Sequence, residues 1–316
     1  MAGAILAAGC AAPAPGPSPA PRSPGPLPAA PVPRALRPFT PGLLLGAYPG
    51  AGGLRGFDRQ VGHAALAVSY VRWGTPVAEL AALVAATARQ SAEAVLELEP
   101  GAYGHDASQI AAGGSSDAWL GQLGLVLASV GRPVAISFFP EMNGPWHARW
   151  SEGPASYVLA YRHVHRVLSR LAGTLITWFW QCAAIHRDTP DPLPWWPGRR
   201  WVDVAAMDSY YYYQDDDFTR VFGATIRLIR ERAPTVPVMI GETAAGPLFR
   251  RQAWEIGDIF AGVRRYRLIG LIWFDQDQHK PPYQFHQDWR LQDHPAALAE
   301  FRRCLARYGP LARLRS

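Results

Sequence analysis

Two glutamates stand where apolar, strand-like runs of this chain end. Glu141 follows the run 134–139, and Glu242 follows the run 236–240. In a parallel α/β barrel the carboxyl ends of the strands converge on one face, where catalytic residues lie. A pair of carboxyl groups there can cleave a glycosidic bond, because one protonates the leaving oxygen and the other attacks the anomeric carbon. We therefore predict that Glu141 and Glu242 form a catalytic pair.

The residues near the two glutamates fit these roles. Phe139 and Trp146 lie close to Glu141 in sequence, and an apolar wall raises the pKa of a carboxyl group by desolvation. A raised pKa is what a general acid needs near neutral pH. Tyr210 ends the run 202–210, on the predicted strand before the nucleophile, so its hydroxyl can orient that carboxylate.

Apolar runs of strand type alternate with helical patterns along most of the chain. The strand-like runs are 43–48, 65–71, 94–99, 134–139, 175–180, 202–210, 236–240 and 269–274. The clearest helical patterns are 77–90, 117–130, 154–172, 218–233, 250–266 and 295–308. Strands alternating with helices in this number predict a closed (β/α)8 barrel, the TIM barrel. Glu141 and Glu242 then end its fourth and seventh strands.

A doubly wound open sheet is the alternative architecture. It would place a glycine-rich phosphate-binding loop between the first strand and the first helix. The segment 50–53 is rich in glycine, but it leads into no clear helical pattern. The first strand–helix unit is therefore the least regular part of the predicted barrel.

Composition and charge argue against several classes of function. The chain has 316 residues, of which 49% are hydrophobic and 18% charged, enough for a large buried core. Its net charge of +6 comes from dispersed arginines without a nucleic-acid-binding motif. The histidines lack metal-ligand spacing, since His163 and His165 point to different sides of a predicted helix. We predict a monomer with no nucleic-acid partner, no metal and no cofactor; a metal-dependent barrel hydrolase is a minor alternative.

The first 38 residues differ in composition from the rest. Residues 1–10 hold an apolar run, small residues and Cys10, similar to the end of a bacterial lipoprotein signal, although a basic segment is missing. Residues 11–38, rich in proline and alanine, predict a disordered linker before a catalytic domain at 39–316. We expect an extracellular or surface-anchored protein, attached to a membrane through lipidated Cys10. An alanine-rich tail with an incidental cysteine is the alternative.

Two further cysteines, Cys182 and Cys304, lie within the predicted barrel. An exported protein could pair them, but the sequence does not place them within the distance that a disulfide requires. Two buried free thiols are the favoured interpretation.

Short motifs at the predicted strand ends resemble those of glycoside hydrolase family 26. Residues 140–146 read PEMNGPW, similar to the segment that carries the acid/base glutamate in that family. Further similar segments are LEP at 98–100, DSY at 208–210, GE at 241–242, WFD at 273–275 and DWR at 288–290. The resemblance covers most of the chain from residue 43 to residue 303.

The resemblance implies a (β/α)8 barrel with catalytic glutamates on strands four and seven. Members are mostly β-mannanases, with some β-1,3-1,4-glucanases and β-1,3-xylanases, and they act by retaining double displacement. By this likeness Glu141 is the acid/base, Glu242 the nucleophile, Tyr210 its hydrogen-bond partner and Trp273 the sugar platform. A β-mannan is the favoured substrate, with mixed-linkage glucan or xylan as alternatives.

Aromatic and polar residues near the strand ends are predicted to contact the glycan. Aromatic rings stack on the apolar faces of sugars, and the chain has 12 Trp, 12 Tyr and 12 Phe. Alternation along a strand puts Trp178 and Trp180 on one face. The predicted contacts are Tyr210, Trp273, Trp146, Asn143, His147, Trp178, Glu99 and Asp275.

Two positions depart from the pattern of the family that the chain resembles. Pro140 stands where members often carry histidine, and Ser137 stands where many carry arginine. The first change bears on mannan specificity, and the second on how the carboxylates are ordered. Arg72, near the end of the second predicted strand, could supply the charge from another direction. A non-catalytic glycan-binding barrel in exopolysaccharide assembly is the alternative of another class.

Overall fold

Eight parallel strands close into a barrel in the computed structural model, which describes residues 39–50, 52–101, 104–278 and 287–315. The strands are Leu44–Tyr48 (β1), Leu66–Arg72 (β2), Glu93–Glu99 (β3), Val134–Phe138 (β4), Ile176–Ala183 (β5), Val204–Asp208 (β6), Val238–Thr243 (β7) and Gly270–Phe274 (β8). Each strand pairs with the next in chain order, and β8 pairs with β1. The predicted (β/α)8 barrel is therefore confirmed, and the open sheet is wrong because its two edge strands would not be hydrogen-bonded to each other.

In the described part of the chain, 3-10 turns take the place of a helix between β5 and β6, and α-helices follow the other seven strands. They are Gly53–Gln60 (α1), Val77–Ala88 (α2), Ala107–Ala112 (α3), Ser115–Val130 (α4), Ala148–Ser151 (α5), Pro154–Ala172 (α6), Phe218–Arg232 (α7), Gln252–Arg265 (α8) and Pro295–Tyr308 (α9). Short 3-10 turns complete several of the connections. The long helices lie where the sequence predicted them.

Helix α1 was not predicted, because the sequence shows no clear helical pattern after the first strand. Its sequence includes two glycines, and each lowers helix propensity by about 1 kcal/mol relative to alanine. Leu54 and Phe57 nevertheless fall on one face and are buried against the barrel. Tertiary packing of that face outweighs the poor intrinsic propensity, so the first strand–helix unit is complete.

Alternation along each strand divides the core into two layers. Leu66, Val95 and Phe179 point into the barrel and form its inner cluster. Trp178 and Trp273, one residue out of phase, point outward and pack in the layer between strands and helices. Because side chains alternate across a strand, the register of the barrel fixes which residues face its interior. Burial of each large side chain contributes roughly 1.5–3 kcal/mol to stability.

The described residues include two of the three cysteines and all the helices given above. Cys182 and Cys304 are both buried free thiols, which confirms the favoured interpretation. Across the same ranges, no helix combines the length and the apolar character needed to cross a bilayer. The predicted lipoprotein segment at 1–10 and the predicted linker at 11–38 lie outside the described residues.

Candidate active site

Glu141 lies at the barrel mouth, in a loop after β4 that has unusual backbone angles. Phe139 and Glu141 both have left-handed conformations, with φ of 53° and 54°. Such angles cost a non-glycine residue of order 1–3 kcal/mol, and they persist where surrounding contacts fix them. Here the Phe139 N–H donates to the Leu98 carbonyl and the Glu141 N–H donates to the Gln181 carbonyl, both at 2.9 Å. Bonds to the strands on either side therefore hold Glu141 at the mouth.

The surroundings of Glu141 favour its protonated form. Burial, and then the charge of Glu242, raise the pKa of the Glu141 carboxyl to about 8. The indole N–H of Trp146 donates to Oε2 of Glu141 at 2.9 Å and opposes this increase in pKa. Near neutral pH the group thus keeps a proton that it can give to a leaving oxygen.

Glu242 sits at an irregularity of β7, where the register toward both neighbouring strands shifts. Tyr210 donates a short hydrogen bond to one carboxylate oxygen, and Tyr70 donates to the other at 2.6 Å. Burial raises the pKa of Glu242, and the two tyrosine hydroxyls lower it. Hydroxyl donors to both oxygens stabilise and orient the ionised form, as a nucleophile requires.

Tyr70 contacts the candidate nucleophile and was not predicted from the sequence. It lies on β2 in phase with the inward-facing Leu66 and Val68. Burial, and then the charge of Glu242, raise the pKa of the Tyr70 hydroxyl well above its usual range, so it remains a donor. Counting alternate residues along the predicted second strand could have placed Tyr70 inside the barrel, but not beside Glu242.

The two glutamates line one small cavity at the carboxyl ends of the strands. Its accessible volume is about 40 Å³, room for roughly three water molecules. The charge of Glu242 acts on the pKa of Glu141, consistent with carboxyl groups that share this space. The lining residues are Tyr70, Glu97, Glu99, Pro140, Glu141, His147, Asp208 and Glu242.

Several of the predicted contact residues lie at this cavity. Glu99 and His147 line it, and Trp146 bonds to Glu141 while its ring remains half exposed. Burial lowers the pKa of His147 to about 4, so the imidazole is neutral at ordinary pH. Burial, and then the charge of Glu242, raise the pKa of Glu99, and the charge of Arg72 opposes that increase. Arg72 therefore acts on the cavity through Glu99.

The prediction that Trp178 and Trp273 contact the glycan is wrong. Trp178 is 3% exposed, and its ring lies 4.5 Å from that of His165 on α6. Trp273 is fully buried, with its ring 5.1 Å from Phe301 on α9. Both belong to the outward phase of their strands, so neither ring faces the cavity. Trp178 and Trp180 do share a face, but it is the outer face of the barrel.

Asn143 and Asp275 are buried and hold backbone groups in place, and their predicted contact with the glycan stays a prediction. The Asn143 amide donates to the carbonyls of Ala183 and Pro190, and its oxygen accepts from the Ala183 N–H, each at 2.9 Å. Asp275 is 3% exposed and accepts from the Leu291 N–H at 2.9 Å. Asn143 ties the loop after β4 to the end of β5, and Asp275 fixes the segment before α9.

A second pair of carboxyl groups, Glu97 and Asp208, lies at the inner side of the cavity. Both are buried, and the Gln181 amide donates to each of them, at 2.7 Å and 2.9 Å respectively. Neither residue was predicted as a site residue. The alternation of β3, which directs Glu97 and Glu99 to the same side, was the available signal.

No cluster of three or more potential metal ligands occurs within the described ranges. The cavity instead presents carboxyl groups with tyrosine and indole donors, and a polar amide beneath them. Such an arrangement can transfer protons and provide a carboxylate nucleophile.

The chain resembles curated enzymes over part of its length. No family model matches the chain. Endoglucanase H of Acetivibrio thermocellus is 23% identical over 210 residues, which are 61% of this chain and 22% of that protein. The β-1,3-xylanase TXYA of a Vibrio species is 31% identical over 115 residues, 36% of this chain and 24% of that protein. The chain thus spans about a quarter or less of the length of these curated relatives.

Solved structures resemble the chain over more of its length. A family 26 β-mannanase from Bacteroides ovatus superposes with a TM-score of 0.62 at 15% identity, covering 86% of this chain and 89% of that one. A modular family 26 endo-β-1,4-mannanase from Cellulomonas fimi gives 0.63 at 18% identity, covering 84% and 70%. The chain therefore has the fold of the β-mannanases of glycoside hydrolase family 26, which confirms at the level of the fold the resemblance that its motifs predicted.

Proposed function

We propose that this protein is a retaining glycoside hydrolase that cleaves a β-linked polysaccharide by double displacement. The observation that carries the proposal is the difference in hydrogen-bond donors between two buried carboxyl groups at one cavity. Glu242 receives a tyrosine hydroxyl on each oxygen, whereas Glu141 has its pKa raised to about 8. Pairs whose environments separate their protonation states identify the acid and the nucleophile.

The reaction follows from these two states. The Glu242 carboxylate attacks the anomeric carbon while the bond to the leaving oxygen breaks and Glu141 gives its proton to that oxygen. A glycosyl ester on Glu242 results. Water then attacks the anomeric carbon, the Glu141 carboxylate takes a proton from that water, and Glu242 leaves as a carboxylate. Two inversions at one carbon give net retention of configuration.

A β-mannan is the favoured substrate, and a β-1,3-1,4-glucan or a β-xylan is the alternative. The fold is shared with β-mannanases, while the relatives by sequence are named an endoglucanase and β-1,3-xylanases. Pro140, which lines the cavity, supplies no side-chain hydrogen bond to a sugar there. This difference makes the choice of glycan a separate question from the chemistry.

The test is release of reducing ends from mannan, mixed-linkage glucan and xylan. Glu242→Gln and Glu141→Gln should each abolish release from the substrate that wild type cleaves, and NMR of early products should show the β-anomer. Glu93→Gln is the matched control, because Glu93 is a buried glutamate outside the cavity lining. Sugar release by a folded Glu242→Gln variant would contradict the assignment of the nucleophile. Tight glycan binding without cleavage by wild type would favour the non-catalytic alternative.

We further propose a monomer that is held at the cell surface by lipid on Cys10, without a metal or cofactor. The support for the anchor is the composition of residues 1–38 alone. Labelling with a radioactive fatty acid should mark the full chain and not a Cys10→Ser variant. Light scattering should give the monomer mass, and activity should survive excess chelator.

A further inference from the structure

A polar layer crosses the barrel interior on four successive strands beneath the catalytic pair. Its members are Glu97 on β3, Ser137 on β4, Gln181 on β5 and Asp208 on β6, and each is at most 3% exposed. Glu97 and Ser137 are register partners on adjacent strands. The reaction proposed above uses none of these side chains.

The layer has more acceptors than donors. Gln181 uses its amide N–H groups on Glu97 Oε1 and Asp208 Oδ2. Glu97 Oε2, Asp208 Oδ1, Gln181 Oε1 and Ser137 Oγ are buried and have no hydrogen-bond partner among the described residues. Of these four atoms only the serine hydroxyl can donate. Each buried oxygen left without a donor lowers stability by about 1–3 kcal/mol. One additional proton on a carboxyl group of the layer would provide a donor and reduce this loss.

The number of carboxyl groups around the cavity also favours a protonated group in this layer. Glu97, Asp208, Glu141 and Glu242 border one cavity of about 40 Å³, and Glu99 stands at its edge. Among the described residues, the hydroxyls of Tyr48 and Tyr70 also interact with Glu97, and burial raises the pKa of both. Burial, and then the charge of Glu242, raise the pKa of Glu97 well above its usual range.

We propose that Glu97 is a positioning residue that works as an uncharged carboxylic acid, and this inference rests on the proposed glycosidase function. Its O–H supplies the donor that the layer lacks, and its neutrality allows Glu242 to remain ionised nearby. Burial, and then the charge of Glu141, raise the pKa of Asp208 well above its usual range too, so geometry distinguishes the two carboxyl groups. A β-carbon built on Gly241 would lie 2.5 Å from Asp208 Oδ1, so that oxygen is pressed against backbone. Glu97 instead has the Ser137 hydroxyl as its neighbour across the strand pair.

The proposal predicts a specific order of activities. Glu97→Ala removes both the donor and the amide contact, and we expect kcat to fall about tenfold or more, with KM changed less. Glu97→Gln reproduces a neutral, donating side chain and should restore most of that loss. If Glu97→Gln is as inactive as Glu97→Ala at every pH while remaining folded, an ionised Glu97 is required and the proposal is overturned.

The pH dependence of the melting temperature tests whether Glu97 is protonated, and it does not depend on catalysis. A carboxyl group with a raised pKa in the folded state binds more protons there than in the unfolded chain, so its contribution to stability falls as pH rises. Glu97→Gln has no such titration. Its melting temperature should match wild type below about pH 4 and exceed it increasingly toward pH 9.

Glu93→Gln serves as the control in both measurements. Glu93 is fully buried outside the cavity lining, and burial raises its pKa to about 8. Its variant should show the same pH-dependent gain in stability without a change in the kinetic constants. A Glu97→Gln melting difference that is flat with pH would overturn the proposal. Because melting needs no substrate, this result is separable from failure of the glycosidase assignment, which would appear as wild-type inactivity on every glycan.

Discussion

Removal of one hydroxyl from Tyr210 tests how the protein keeps its nucleophile ionised. Tyr210→Phe deletes the hydrogen bond to Glu242 and preserves the aromatic ring. That ring packs 5.0 Å from Trp289 and 5.9 Å from Phe274, so the variant should fold with its surroundings intact. The remaining donor, Tyr70, still holds the other carboxylate oxygen.

The expected magnitude follows from the kind of bond lost. A hydrogen bond to a charged group contributes about 1.5–3 kcal/mol. At 1.36 kcal/mol per factor of ten, kcat/KM should fall roughly 10- to 150-fold. Because the hydroxyl lowers the pKa of Glu242, its loss raises that pKa. The acidic limb of the pH–rate profile should therefore move to higher pH.

The assay is kcat/KM for glycan cleavage as a function of pH, with Tyr211→Phe as the matched control. Tyr211 is also buried and donates to a carboxylate, Asp258, at 2.8 Å, but outside the cavity. Its variant should lose stability and keep the pH profile of wild type. A folded Tyr210→Phe enzyme with unchanged kcat/KM and an unchanged acidic limb would refute the role of this bond.

Three further predictions concern the acid and the structural residues. Burial raises the pKa of Glu141 to about 8, so kcat/KM should fall as pH rises through that value. Trp146→Phe removes a donor that favours the ionised form, so it should move this alkaline limb to higher pH. An alkaline limb at the wild-type pH would contradict this role of Trp146. Asn143→Ala should lower the unfolding free energy in urea by about 2–3 kcal/mol, since it leaves buried backbone groups of β5 unpaired; a loss below 0.5 kcal/mol would exclude the bracing role. Trp273→Leu should cost about 3 kcal/mol of stability by opening a core cavity, yet keep kcat/KM within about twofold, whereas a sugar platform would lose activity first.

Much of the fold could be read from local pattern. Strands of period two and helices of period 3.6 are encoded by neighbouring residues, so the runs ending at Glu141 and Glu242 were visible without a structure. Helix α1 was not predicted because its glycines lower its helix propensity. Packing of Leu54 and Phe57 against the barrel stabilises the helix despite that low propensity.

Residue types alone decided less about the site. A tyrosine or tryptophan near a strand end can lie on either face of the strand. Trp273 points outward into the core, whereas the next residue, Phe274, faces Tyr48 and Tyr210 inside the barrel. Asn143 lies within the motif of the acid, but its amide is consumed by backbone groups of β5. Such outcomes depend on strand register and on partners distant in sequence.

The sequence by itself determined the alternation of strands and helices, the positions of two glutamates at strand ends and hence the class of chemistry. Only the tertiary structure decided which protons those glutamates hold. Tyr70 lies 172 residues from Glu242 along the chain, and Gln181 lies 84 from Glu97, yet each pair is hydrogen-bonded. Protonation depends on burial and on charges within a few ångströms, and both arise when barrel closure brings distant strands together.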